Sequence, residues 1–348
     1  MATELRDTTV LVTGASGFIG LWCVRRLLEH GYRVRGTVRS LEGADSLRAV
    51  LARHQVPAAE DPERLAFVAA DLGDDAGWAD AVAGCQYVLH VASPLPKQLP
   101  EHEDDLIVPA RDGTLRVLRA AASAGVKRVV QTSSVAAVNY GLPSDGTVHD
   151  EESWSDVESI QPYPKSKTLA EKAAWQFMDE QGTAAGMELA VINPGLVLGP
   201  LMYDGFSTSG EVVKKLLKRE MPGCPPLGWA PVDVRDVADA HIAAMTVKEA
   251  AGQRFICALE HAWIRDIAVI LAEKYKRRGY RVPTARLPGF LLRVSALFDK
   301  TLRLVVPDLG RKENVTCARA KKVLGFAPRS LEEMVVAMAD SMIEYGVV

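Results

Sequence analysis

The sequence predicts an α/β fold: a doubly wound parallel sheet, joined by a smaller, mostly C-terminal part that completes a binding site. Three observations carry this expectation. Short apolar runs rich in β-branched residues alternate with helix-length amphipathic stretches through residues 1–195, the order that builds a parallel sheet flanked by helices. A glycine turn, Gly14-Ala15-Ser16-Gly17-Phe18-Ile19-Gly20, joins the first apolar run to the first helical stretch. Polar residues (Asp71, Ser93, Ser134) follow the ends of later runs, where ligands bind on such sheets.

The bulk composition fits this class. Of 348 residues 48% are hydrophobic and 24% charged, which suits an ordinary core rather than disorder. A formal net charge of −3 gives no electrostatic reason to expect nucleic acid or an anionic membrane as partner. The five cysteines are scattered and lack a CxxC pair, arguing against a disulfide framework or zinc site and for a cytoplasmic protein. Met1 to Thr9 has no apolar signal core. Leu287 to Val306 is interrupted by Arg293, Asp299, Lys300 and Arg303, so it reads as an amphipathic helix rather than a membrane span.

Val10-Leu11-Val12 reads as the first, fully buried strand, and Leu21, Val24, Leu27 and Leu28 mark one face of a helix ending at Gly31. A strand turning on glycines into a helix presents backbone N–H groups at the positive helix end, where a pyrophosphate binds and side chains would obstruct it. A tight turn without a ligand is the plainer alternative. Arg33 to Arg39 alternates as the second strand. A carboxylate at its end would favour NAD, whereas Arg39 suits the 2′-phosphate of NADP. The competing reading is a solvated strand-end arginine.

A helix over 47–53, a polar loop over 57–62 and a strand over 65–69 lead to Asp71-Leu72. Asp71 is placed either to meet an adenine amino group or to cap the next turn. A strand from Tyr87 to Ala92 ends at Ser93, followed by a Pro-rich loop whose acidic run (Glu101, Glu103, Asp104, Asp105) reads as solvated surface. A helix over 108–124, a strand over 128–132 ending at Ser133-Ser134, a polar loop over 139–161, a helix over 164–180 and a strand over 189–192 complete this half.

Tyr163 and Lys167 stand four apart on that last helix, so they share one face. Carbonyl reduction by hydride transfer needs a proton donor at the developing alkoxide. A phenol beside an ammonium has its pKa lowered toward that task, and a serine hydroxyl holds the substrate oxygen. An ordinary amphipathic helix also produces this spacing; it gains weight here from the glycine turn and the strand-end serine, in the same order on one sheet.

The motifs Thr13 to Gly20, Thr132-Ser133-Ser134 and Tyr163-Pro164-Lys165-Ser166-Lys167 resemble those of the extended short-chain dehydrogenase/reductases. Within that family the chain is most similar to the dihydroflavonol 4-reductase group and its microbial aldehyde and ketone reductase relatives. The resemblance implies a Rossmann fold, NADP(H) as cofactor, Tyr163 as general acid, Lys167 as ribose ligand and tuner of Tyr163, and Ser134, rather than Ser133, as the carbonyl-orienting hydroxyl. It implies a cofactor site of Gly14, Ser16, Gly17, Phe18, Ile19, Gly20, Arg39, Asp71, Leu72, Val91, Ala92, Ser93, Thr132, Tyr163, Lys167, Pro194, Gly195, Leu196 and Val197. It further implies substrate contact by Asn139, with Met202, Tyr203, Phe206 and Trp229 forming an apolar pocket after the sixth strand. The segment between Trp154 and Tyr163 is shorter than in the plant flavonoid reductases, and the NWYCY signature of cinnamoyl-CoA reductases is missing before Tyr163.

The expectation is an NADPH-dependent reductase of small hydrophobic aldehydes or ketones, reversible as an alcohol dehydrogenase, with its oligomeric state (monomer or homodimer) left open. Residues 1–195 with 231–258 are expected to bind NADP, and residues 196–230 with 259–348 the substrate. A nucleotide-sugar epimerase or dehydratase is the alternative on the same fold; a non-catalytic nucleotide sensor is the alternative from another class.

Overall fold

The structure is a computed structural model that describes residues 5–94, 102–143, 145–205, 208–297, 303 and 305–348. In chain order, β1 (Thr9–Thr13), α1 (Phe18–His30), β2 (Arg33–Val38), α2 (Ala44–Arg53), β3 (Leu65–Ala69), α3 (Trp78–Val82), β4 (Tyr87–His90), α4 (Asp104–Ser123), β5 (Arg128–Thr132), α5 (Pro162–Phe177) and β6 (Glu188–Pro194) alternate. They are followed by β7 (Leu196–Leu198), α6 (Glu211–Leu217), β8 (Gly228–Trp229), β9 (Pro231–Asp233), α7 (Val234–Thr246), β10 (Gln253–Cys257) and β11 (Ala262–Trp263). The remaining helices are α8 (Ile264–Tyr275), α9 (Gly289–Ser295), α10 (Ala318–Leu324) and α11 (Leu331–Glu344).

The described residues form a seven-stranded sheet in the order β10-β6-β5-β4-β1-β2-β3, with every neighbouring pair parallel. The chain runs outward from β1 through β2 to β3, then returns to place β4 on the other side of β1. That reversal opens a crevice beyond the carboxyl ends of β1 and β4, the general ligand position on such sheets. The alternation of side chains along β1 divides the core: Val10 and Val12 join a cluster with Leu21, Leu27 and Val237 of α1 and α7, whereas Leu11 joins Val117, Leu118 and Ala174 of α4 and α5. Each such fully buried aliphatic side chain contributes roughly 1.5–3 kcal/mol. A third cluster, away from the sheet, packs Val213 and Leu216 of α6 against Ile267 and Leu271 of α8 and Met334 and Met338 of α11.

Several boundaries differ from the sequence expectation. β2 stops at Val38, leaving Arg39 exposed just beyond the strand. Asp104 and Asp105 open α4 rather than lying in a loop, where their charge complements the helix N-terminus; Glu103 pairs with Lys165 of α5. Glu101 lies outside the described residues. α5 begins at Pro162 and gives way after Phe177 to a π-helical turn, in which Thr183 N donates to Met178 O at 3.1 Å. The stretch expected as one amphipathic helix, Leu287 to Val306, contains the short helix α9 and the start of a 3-10 turn at Val306–Asp308. Among the described residues, no helix is long and apolar enough to cross a membrane.

Candidate active site

The glycine turn is shaped by close backbone packing. Gly14 has φ +66°, and a Cβ there would lie 3.1 Å from Ala92 Cα. A Cβ on Gly20 would stand 2.2 Å from the carbonyl oxygen of Gly14, so any larger residue would push the first turn of α1 off the strand end. Gly14 N donates to Thr37 Oγ1 at 3.0 Å and Gly17 N to Gly14 O at 2.9 Å. The turn floors a cleft of about 480 Å³.

Gly14, Ser16, Gly17, Phe18, Ile19, Gly20, Arg39, Asp71, Leu72, Val91, Ala92 and Ser93 all line this cleft, as do Thr132, Ser134, Tyr163, Lys167, Pro194, Gly195 and Val197. Leu196, expected among them, lines the adjoining pocket instead. Asp71 Oδ1 accepts from Gly73 N at 2.7 Å, so the carboxylate braces its own turn while it borders the cleft. The Arg39 side chain has no hydrogen-bond or ion-pair partner among the described residues.

Tyr163 and Lys167 sit in the first two turns of α5, which Pro162 starts without losing a helical hydrogen bond. Lys167 Nζ donates to Ser93 Oγ at 2.9 Å and lies 6.0 Å from the Tyr163 ring centroid. Burial lowers the Lys167 pKa to about 8. Behind it, His90 is held neutral, its pKa lowered to about 3 by burial and then by the Lys167 charge, and its Nδ1 meets Thr13 Oγ1 at 2.9 Å. Tyr163 as a residue is 42% exposed, but its hydroxyl end is enclosed. Enclosure raises its pKa, opposed by a hydrogen bond with Ser134, and the Glu313 charge adds to the rise. The expected lowering of the phenol pKa by Lys167 is therefore not what this geometry gives: the ammonium is engaged by Ser93, and burial dominates at the phenol.

The adjacent serines have different surroundings. Ser133 Oγ donates to Glu171 Oε2 at 2.5 Å inside a buried network that also takes Asn193 Nδ2 at 2.8 Å and Arg254 Nε, on Oε1, at 2.5 Å. Ser134 Oγ accepts from Ala136 N at 3.1 Å and hydrogen-bonds Tyr163; both serines border the cleft, and Ser134 but not Ser133 also borders the adjoining pocket. The network ties α5, which carries Tyr163 and Lys167, to the ends of β5 and β6. Spacing identifies Tyr163 and Lys167, but Glu171 and Arg254 lie 83 residues apart and carry no joint sequence signal.

A second pocket of about 320 Å³ shares Ser134, Tyr163, Gly195 and Ser209 with the cleft. Leu106, Val135, Leu196, Trp229 and Val305 give it apolar walls, and Tyr140, Asp308 and Glu313 supply polar groups. Of the expected substrate contacts, Asn139 does not line it: Asn139 is buried, with its backbone oxygen and Oδ1 both accepting from Arg311 Nη2 at 2.9 Å. Met202 is also displaced from it, 3% exposed in the core cluster beside α1 and α7, its carbonyl accepting from His54 Nε2. Tyr203 donates from its hydroxyl to Ser16 O at 2.7 Å and so closes over the glycine turn. Gly199 has φ +113°, and just beyond it Pro200 O accepts from Trp22 Nε1 of α1 at 2.9 Å; Met202 and Tyr203 follow against α1 and the glycine turn. Phe206 lies outside the described residues. Tyr140, Asp308 and Glu313 were not legible beforehand: Tyr140 hides beside Asn139, and Glu313 follows Arg311-Lys312 in what reads as surface charge.

The family model described as NAD dependent epimerase/dehydratase family matches residues 10–258. Cinnamoyl-CoA reductase CAD2 of Medicago truncatula is 37% identical over 298 residues, covering 83% of this chain and 85% of that protein. Dihydroflavonol 4-reductase of Zea mays is 36% identical over 290 residues, covering 81% and 77%. The crystal structure of yeast methylglyoxal/isovaleraldehyde reductase Gre2 complexed with NADPH superposes with a TM-score of 0.80 at 30% identity, covering 98% of this chain and 99% of that one.

Proposed function

We propose, from the premise that this chain belongs to the NAD dependent epimerase/dehydratase family and within it to the dihydroflavonol 4-reductase-like extended short-chain dehydrogenase/reductases, that it reduces small hydrophobic aldehydes or ketones with NADPH. It is an NADP-dependent oxidoreductase, as its reductase relatives indicate. The observation that carries the carbonyl-reductase reading is that Ser134 and Tyr163 stand in the wall common to a cleft of mixed polarity and a largely apolar pocket. A carbonyl in the pocket would then meet both hydroxyls at the boundary with the cofactor cleft.

The residues present fit NADP(H). The turn at Gly14, Gly17 and Gly20 leaves room for a pyrophosphate over the start of α1, Arg39 offers an uncommitted guanidinium fork to a 2′-phosphate, and Lys167 and Ser93 stand where a ribose would be held. When bound, the nicotinamide supplies the hydride to the carbonyl carbon. Ser134 Oγ donates to the carbonyl oxygen and polarises it. Tyr163 gives its phenolic proton to that oxygen as it becomes an alkoxide; its raised pKa keeps the proton in place at neutral pH. Solvent reprotonates the phenolate left behind. Residues 196–230 and 259–348 are assigned to the substrate side, with Trp229 and Leu196 as walls in place of Met202 and Tyr203.

The test is Tyr163→Phe, which keeps the ring and removes the donor. NADPH consumption with a hydrophobic aldehyde should fall by about 10²–10⁴-fold while NADPH binding survives. Near-normal turnover in that variant would rule the mechanism out.

A further inference from the structure

The pocket beyond Tyr163 has an electrostatic character that an apolar reductase site does not need. Two carboxyl groups, Asp308 and Glu313, border it, and no lysine or arginine among the described residues does. Glu313 is 2% exposed, and its oxygens are taken: Oε2 accepts from Ala230 N at 2.7 Å and Oε1 from the Tyr140 hydroxyl at 3.2 Å. The nearby cation, Arg311, is not among the lining residues, but its charge acts on both carboxyls. It stacks 3.7 Å from the centroid of the Tyr140 ring, bonds Asn139 and reaches Glu313 Oε1 at 3.5 Å. Asp308 differs. It ends the 3-10 turn Val306–Asp308, and its carboxyl has no hydrogen-bond partner among the described residues. A half-buried carboxylate without a donor is costly to keep charged.

We propose that Asp308 determines substrate choice: the pocket takes carbonyl compounds that are uncharged and carry a hydroxyl donor away from the carbonyl, and it rejects those bearing a carboxylate. The inference rests on the carbonyl-reductase reading. A substrate hydroxyl supplies the donor that Asp308 lacks among the described residues, whereas an anion meets two carboxylates whose nearby cation, Arg311, is already engaged with Glu313, Asn139 and Tyr140. Burial pushes both acids up against the opposing Arg311 charge, which accords with their poor solvation.

Three para-substituted benzaldehydes decide it, because one ring and one carbonyl then carry a methyl, a hydroxymethyl or a carboxylate group. With the wild-type protein and NADPH, kcat/KM for the carboxylate should be about tenfold below the methyl compound, and that for the hydroxymethyl compound about threefold above it. In Asp308→Asn the carboxylate-to-methyl ratio should rise about tenfold; Asp308→Ala provides the same ratio should the first variant misfold. Calorimetric binding of the three aldehydes to the NADP⁺-loaded wild-type protein should follow the same order. If none is turned over, the carbonyl-reductase reading fails, and the binding order still decides the role of the pocket. Equal handling of the methyl and carboxylate compounds by the wild type, or a ratio unmoved by replacing Asp308, overturns the proposal.

Discussion

Lys167 Nζ donates to Ser93 Oγ at 2.9 Å, joining the second turn of α5 to the loop that follows β4. The bond draws the ammonium into the cleft, where burial lowers its pKa to about 8. In the unfolded chain a lysine keeps its proton up to pH of about 10.4. Between those values the unfolded chain binds more protons, so stability rises with pH across that window, and the full cost of burying the charge is carried below pH 8. Lys167→Met removes that cost. Its Tm should exceed that of the wild type at pH 7, and the difference should narrow as pH rises from about 8 to 10. NADPH affinity should fall in the same variant. A Tm difference that is flat with pH would show that the ammonium pays no such penalty.

Ser133 and Ser134 should differ in their effect on turnover. Ser133→Ala takes a donor from the buried Glu171 carboxylate, at a cost of about 1–3 kcal/mol, with kcat changing little. Ser134→Ala removes a hydroxyl that borders both cavities and accepts from Ala136 N, so it should lower kcat and cost about 0.5–2 kcal/mol as a lost cap. Urea titrations alongside steady-state rates check both, and reversed effects would exchange the two roles.

Arg39 should set cofactor preference. NADPH should bind more tightly than NADH, and Arg39→Ala should erase most of the difference, about 1.5–3 kcal/mol for a charge-assisted contact to phosphate. Fluorescence titration with each cofactor measures it. Equal affinities in the wild type would leave Arg39 a solvated residue.

Arg254 should matter chiefly to stability. Its guanidinium bonds Glu171, which is fully buried, and the carbonyls of Glu151 and Ser153 at 2.8 Å; it also stacks 3.7 Å from the Trp154 ring centroid. Arg254→Met leaves the Glu171 charge without its cation and should cost about 3–5 kcal/mol. Glu171→Gln should cost less, because the amide keeps an acceptor for Ser133. Denaturation midpoints of the two variants rank them.

The alternation of strands and helices, the glycine turn, and the pairing of Tyr163 with Lys167 were all legible in the sequence, because each depends on residues within one turn or one element. Hydrophobic period places Val10 to Val12 in a strand and Leu21 to Leu28 on a helix face, and a spacing of four puts Tyr163 above Lys167 whatever surrounds them. The choice between Ser133 and Ser134 was open to family resemblance but not to spacing; the structure separates their surroundings through Glu171, 38 residues away from Ser133. Of the pocket beyond Tyr163, Trp229 was expected from the sequence, and the rest was decided by tertiary structure. Beyond Gly199 the chain packs Met202 and Tyr203 against α1 and the glycine turn, whereas Asp308 and Glu313 come to the pocket from more than 140 residues beyond Tyr163. Neighbours brought together across such separations leave no period or motif in the sequence, since only the packing of distant segments puts their side chains around one cavity.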